Sequence, residues 1–207
     1  MAKSTTPRSP RRSAQTVREE LIAAAVAELD AAGPEGASLR SIARRVGITH
    51  QSVAHHFADR RALFTAVAVR GFDDLYAESV AALDELPDAV ALGESVATLG
   101  QVFVRFARAN RSKIALMFGS RLVDNDDPDL AEARARSWNQ HAGTVAADVE
   151  NGWGGTVPAE SIAVATFAMA HGMATLDADL PDVFSADMQF EELIHVVNAA
   201  IVTPPKE

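Results

Sequence analysis

The sequence predicts an all-α protein of about nine helices, with a small three-helix unit at the front and a larger helical unit behind it. Two observations carry that reading. Apolar residues recur at helical spacing along almost the whole chain after residue 13, and no segment sustains the period-2 alternation of a half-buried strand. Capping residues and helix-stopping glycines or prolines also punctuate the chain at helix-length intervals.

The first segment, residues 1–13, carries Pro, Ser, Thr and basic side chains but almost nothing to bury, and predicts a disordered basic arm. Thr16 and Glu19 have capping-box spacing, and Val17, Leu21, Ala24, Ala25 and Leu29 then form a helical stripe that runs to Gly33. Ser38 is placed to cap a short helix holding Leu39, Ile42, Ala43 and Val46, stopped by Gly47. Thr49 is placed to cap the next, with Val53 and Phe57 on one face. Asp59 is placed to cap a longer one that carries Leu63, Val67, Phe72, Leu75 and Leu83 before Pro87.

Behind Pro87 the pattern predicts a helix to Ala109, a short one over Lys113–Phe118, and a third from Pro128 to Glu150. A fourth follows, with Pro158 as its first residue, running to Ala178, and a last helix spans Ala186–Val202. The expected organisation is an arm over 1–13, a front domain over 14–62 and a rear domain over 63–207, with the boundary inside the helix that begins near Asp59.

Charge divides the chain the same way. Residues 1–72 hold 11 Lys and Arg against 6 Asp and Glu, a balance of +5; residues 73–207 hold 8 against 22, a balance of −14. A basic front on an acidic body lets one part approach a polyanion while the rest stays soluble. The chain has no cysteine, which excludes disulfides, thiolate zinc sites and cysteine nucleophiles. Arg11-Arg12 is followed by no export-type apolar stretch, since "LIAAAVAELD" is flanked by Glu19-Glu20 and broken by Glu28 and Asp30. No run reaches the roughly 18 apolar residues of a spanning helix, so a cytoplasmic location and no membrane partner are expected.

Two short helices around the turn Gly47-Ile48-Thr49, with apolar inner faces, have the pattern of a DNA-binding helix-turn-helix. There the second helix enters the major groove with its N-terminal residues on base edges. Those residues are Thr49, His50, Gln51 and Ser52, and a glutamine amide can pair with adenine through two hydrogen bonds.

The stretch "ASLRSIARRVGITHQSVAHHFADRRAL" resembles the N-terminal domain of TetR/AcrR-family transcriptional regulators. Ile42-Ala43, Gly47-Ile48-Thr49, His56-Phe57 and Asp59-Arg60-Arg61-Ala62-Leu63 stand in the family's register, over about residues 16–64. The resemblance implies DNA contacts by Arg40 from the helix before the turn, by Thr49, His50, Gln51, Ser52, His55 and His56, and by Arg60 where the family usually has a phosphate-binding lysine. One position departs: Ala54 stands where the family usually has a tyrosine that touches the DNA backbone. The arm, with Lys3, Arg8, Arg11 and Arg12, either lies along phosphates or is a solubilising tail.

A second resemblance covers the rear half. "FVRFARANRSKIALMFG" and "FAMAHGMATL" are similar to elements of a Trp-His-Gly subclass of TetR-family ligand domains, with Phe167 in place of the tryptophan and Arg111 in place of an earlier proline. It implies a helical ligand-binding and dimerisation domain whose last two long helices meet those of a partner chain, and a small-molecule effector. Candidate pocket residues are Phe103, Phe106, Met117, Phe118, Trp138, His141, Phe167 and His171. Candidate interface residues are Met169, Met173 and Leu176 on one helix and Phe190, Leu193, Val197 and Ile201 on the last. Paired half-sites on a palindromic operator demand the same homodimer.

An enzyme is the weaker reading. His141, His171 and His195 match no metal-ligand spacing, adjacent His55 and His56 point about 100° apart on a helix, and neither Gly-x-Ser-x-Gly nor a phosphate-cradling glycine loop occurs. No catalytic residue, metal or cofactor is expected. A third reading, suggested by Ala54, is a binding protein of the same fold whose DNA reading has weakened. The leading expectation is a ligand-responsive repressor that occupies DNA as a homodimer until an effector releases it.

Overall fold

The structure, a computed structural model, describes residues 13–179 together with Ile194. Residues 1–12, which make up nearly all of the expected arm, lie outside the described residues. So do the last predicted helix, Ile194 excepted, and Phe190, Leu193, Val197 and Ile201 of the expected interface. Among the described residues there are eight helices and no strand: α1 Ala14–Gly36, α2 Leu39–Val46, α3 His50–Val53, α4 Arg60–Asp84, α5 Glu94–Ala109, α6 Arg111–Met117, α7 Pro128–Glu150 and α8 Ala159–Asp179.

The capping signals explain most of the boundaries. Ser38 accepts from the Ser41 backbone N–H at 3.1 Å, and the Ser41 hydroxyl accepts in turn from the Ser38 N–H, closing the capping box of α2. Asp59 accepts from the Ala62 N–H at 2.8 Å and starts α4, and Asp127 accepts from the Leu130 N–H at 3.0 Å and starts α7. The start of α1 corrects the sequence reading. Ser13, not Thr16, is the N-cap, accepting from the Thr16 N–H at 3.0 Å, while Glu19 pairs with Arg70 of α4. A short hydroxyl one turn upstream caps as well as a threonine does, and it adds a turn to the helix.

Helix α4 is the spine of the molecule. Leu63, Phe64, Val67, Ala68, Phe72 and Leu75 are all buried along it, and it packs against α1, α5, α6 and α7. One continuous core runs from Leu21, Ile42, Val53 and Phe57 at the front, through α4, to Phe103, Phe106, Met117, Leu130 and Ala170 behind. A smaller cluster forms around Trp153, Val96, Val145 and Ile162, where α5, α7 and α8 meet. No described helix is long and apolar enough to cross a membrane.

Candidate nucleic-acid interface and apolar cavity

The turn between α2 and α3 is built by backbone chemistry. Gly47 adopts φ 71°, ψ 32°, the left-handed conformation that glycine reaches without a side-chain clash. Its N–H donates to the Arg44 carbonyl at 3.2 Å and the Ile48 N–H donates to the Ala43 carbonyl at 3.0 Å. Together these are the paired bonds of a Schellman stop. Two residues later Thr49 accepts from the Ser52 N–H at 3.1 Å and opens α3, a single turn of four residues. Val53 and Phe57 then anchor this turn in the core, and the Arg18 guanidinium lies 4.3 Å from the centre of the Phe57 ring.

With those anchors inside, the polar side chains are left outside. Arg40, Thr49, His50, Gln51 and His55 are exposed, and Ser52, His56 and Arg60 are half-buried. Ala54 is exposed as well, in the middle of that surface. Two basic residues near it are occupied within the fold. Arg45 pairs with buried Glu28 of α1, whose carboxyl is held below its usual range first by a hydrogen bond from the Ser41 side chain and then by Arg45. Arg60 donates to the Ala37 carbonyl at 3.0 Å and stands over the Phe64 ring at 5.1 Å.

Behind the head, α4, α5, α7 and α8, with Phe118 and Ile194, line a partly open apolar cavity of about 320 Å³. Each helix contributes one stripe: Phe72, Leu75 and Ser79 from α4; Val96, Leu99, Gly100 and Phe103 from α5; Arg134, Ser137, Trp138 and His141 from α7; Thr166, Phe167 and Ala170 from α8. The rings pack edge-on or tilted, with Phe103–Phe167 at 5.7 Å, Phe118–Phe167 at 6.0 Å and Trp138–Phe167 at 5.9 Å between centroids. His141 Nε2 lies 3.0 Å from the Ala163 carbonyl and 3.2 Å from the Thr166 hydroxyl. Burial lowers the pKa of this imidazole, against the opposing pull of the Ala163 carbonyl, so the neutral form is favoured.

Of the eight residues expected at a pocket, Phe103, Phe118, Trp138, His141 and Phe167 line this cavity. His171 does not line it but joins the same ring cluster, 4.9 Å from Phe118. Phe106 and Met117 are sealed in the core, at 1% and 0% exposure. The wall also holds polar residues outside the expected set: Arg134, Ser137, Ser79, Gln140 and Thr166. A signal for the first two exists: 134, 137, 138 and 141 follow the i, i+3, i+4, i+7 stripe of one helix face. Among the expected interface residues, Met169 lines the cavity, Met173 packs against the Ala97–Val104–Ile194 cluster and Leu176 is exposed.

Comparison with known proteins places this architecture. Residues 21–67 match the family model described as "Bacterial regulatory proteins, tetR family", and residues 96–197 match one described as "Tetracyclin repressor-like, C-terminal domain". The chain belongs to the TetR family. Its DNA-binding helix-turn-helix is therefore α2, the Gly47 turn and α3. Among solved structures, a protein of unknown function from a Rhodococcus species is 31% identical, with 89% of this chain and 93% of that chain covered and a TM-score of 0.77. The fatty acid degradation regulator FadR from Bacillus halodurans is 13% identical, with 92% and 96% covered and a TM-score of 0.70. The TetR family transcriptional regulator PfmR from Thermus thermophilus is 17% identical, with 90% and 99% covered and a TM-score of 0.67. FadR and PfmR share the fold with this TetR-family chain. No curated protein matches it.

Proposed function

We propose that this TetR-family regulator is a homodimeric repressor that occupies a palindromic operator and leaves it when a small molecule enters the apolar cavity. The observation that carries the reading is the reach of α4. Its first turn holds the DNA-reading head through Arg60 and Leu63, and three turns later Phe72, Leu75 and Ser79 form a wall of the cavity. A ligand that shifts this wall acts on the same rigid element that seats α3. Linkage requires that the ligand bind the DNA-incompetent arrangement more tightly, since equal affinity for both would move nothing.

In this reading Thr49, His50, Gln51 and Ser52 face base edges, His55 and Arg60 lie toward the phosphate backbone, Arg40 meets a base or a phosphate, and His56 is a further DNA contact. The head spans residues 14–62 and the ligand and dimer domain 63–207. The exposed apolar residues Val164 and Leu176 of α8, at 53% and 44% exposure, support a partner chain on that helix. The protein works in the cytoplasm, needs no metal or cofactor and carries out no catalysis.

Sedimentation of the protein with a duplex from beside its own gene tests the reading. Two chains per palindrome are expected, with an affinity that falls linearly in log salt by about 0.9 per phosphate contacted. One chain per duplex, or none at low salt, favours the second reading, a TetR-fold binding protein with weakened DNA contact. The observation behind that alternative is the exposed Ala54, which offers the backbone no hydroxyl.

A further inference from the structure

The cavity carries a chemical signature of its own. Among the described residues, Arg134 is the one charged side chain along its wall, and no Asp or Glu lines it. The Arg134 guanidinium stands 5.9 Å from the centre of the Phe72 ring, itself part of the wall. It makes no ion pair with any described residue. Its hydrogen bond is a long one, 3.4 Å from Nη2 to the Asn125 side-chain oxygen. Other arginines of the rear helices and of α4 are spent differently: Arg136 pairs with Asp73, Arg108 with Asp177 and Arg61 with Asp124.

Charge decides between ligand types. An aromatic cage is a common seat for cations, but a cation here would meet a guanidinium with no carboxylate on the wall to offset it. A carboxylate meets a planar fork of donors that matches it in shape. His141 adds no competing charge, because burial favours its neutral form, and a carbonyl can only accept, so its Nε2 carries the proton donated to Ala163. Shape decides the rest. The wall is rich in aromatic rings, Phe72, Phe103, Phe118, Trp138 and Phe167, against which another ring can pack edge-on, and about 320 Å³ lies at the small end of ligand pockets.

We infer that the cavity binds a compact aromatic carboxylate, with its anionic head on Arg134 and its ring packed against the Phe103, Phe167 and Trp138 cluster. The inference rests on the effector-responsive reading for its regulatory meaning, but the binding itself does not depend on DNA.

Isothermal titration calorimetry on the full-length protein, without DNA, compares 2-naphthoate, its neutral analogue 2-naphthamide, and dodecanoate, an acid of similar atom count but extended form. Naphthoate is expected to bind at least tenfold tighter than either of the others. Arg134→Gln should remove the preference for naphthoate over naphthamide, and Arg134→Lys should retain part of it, with circular dichroism confirming that both variants are folded. Equal binding of naphthoate and naphthamide to the unaltered protein overturns the charge assignment. Tighter binding of dodecanoate overturns the shape assignment, and no binding of any probe overturns both. If naphthoate binds as expected but leaves operator affinity unchanged, the cavity assignment stands and effector release fails. If no probe binds while specific DNA binding persists, the ligand class fails and the regulator reading stands.

Discussion

Arg60 at the first turn of α4 donates a hydrogen bond to the backbone carbonyl of Ala37, 3.0 Å away and just ahead of α2. The side chain expected to meet phosphate is thus already part of the clamp that holds the head together. A guanidinium has donors enough for both tasks. Arg60→Ala is therefore expected to lower stability by about 1 kcal/mol, the typical net value of one hydrogen bond, as well as to weaken DNA binding. Urea denaturation checks this through a lower midpoint at unchanged slope. Full stability with reduced DNA affinity would assign Arg60 to phosphate alone.

Gly93 meets Trp153 at the start of α5. It sits at φ 82°, and a Cβ there would lie 2.6 Å from the indole nitrogen of a tryptophan that is 1% exposed. Gly93→Ala combines left-handed strain with a clash against a fixed ring, at a cost of about 2–4 kcal/mol. A thermal melt of this variant should shift down by many degrees. Gly143→Ala, a helical position with open space around its Cβ, should not destabilise the protein.

Acidification should destabilise the protein through His141. Burial lowers its folded pKa below the unfolded value of about 6.5, so the unfolded chain takes up the proton first. The contribution is fully present above about pH 6.5 and is lost as pH falls below it, at up to about 1.4 kcal/mol per pH unit until the folded imidazole also protonates. Asp148 works with the opposite sign. Burial raises its carboxyl against the pull of the Gly93 and Val96 backbone, so its share of stability is lost as pH rises above the unfolded carboxylate value. Comparing the protein with His141→Gln from pH 5 to 8 cancels the Asp148 contribution. The expected result is a steeper acid loss in the unaltered protein, and parallel curves would contradict it.

Ala54→Tyr should tighten operator binding several-fold. The position is exposed within the candidate reading surface, and one added hydroxyl contact to phosphate is worth about 1 kcal/mol. Fluorescence anisotropy with a labelled duplex measures the change. Weaker binding would mean that residue 54 faces DNA differently from the family pattern.

The parts of the fold set by local chemistry are legible in the sequence. Ser38, Gly47, Thr49 and Asp59 announce their caps and stop, because a hydroxyl, a carboxylate or a missing Cβ acts within a few residues. Ser13 escapes that pattern because two hydroxyls a turn apart both fit the first turn, and the neighbour that claims Glu19 is Arg70, distant in sequence. The cavity is legible as a set of apolar residues but not as a space. Phe106 and Met117 have the same spacing signature as Phe103 and Phe118, and only tertiary packing tells core from wall. Arg134 is hidden for a related reason: an arginine on a helix face reads as solvent-exposed until the opposing helices are in place.

Whether α3 reads a specific DNA sequence is answered by selection from a random duplex pool with the full-length protein and with Gln51→Ala. The unaltered protein is expected to enrich a palindrome. Gln51→Ala should bind that palindrome about 1–3 kcal/mol more weakly and lose discrimination at one position in each half-site. A pool that stays random for the unaltered protein, or an identical enriched sequence for both proteins, would contradict it.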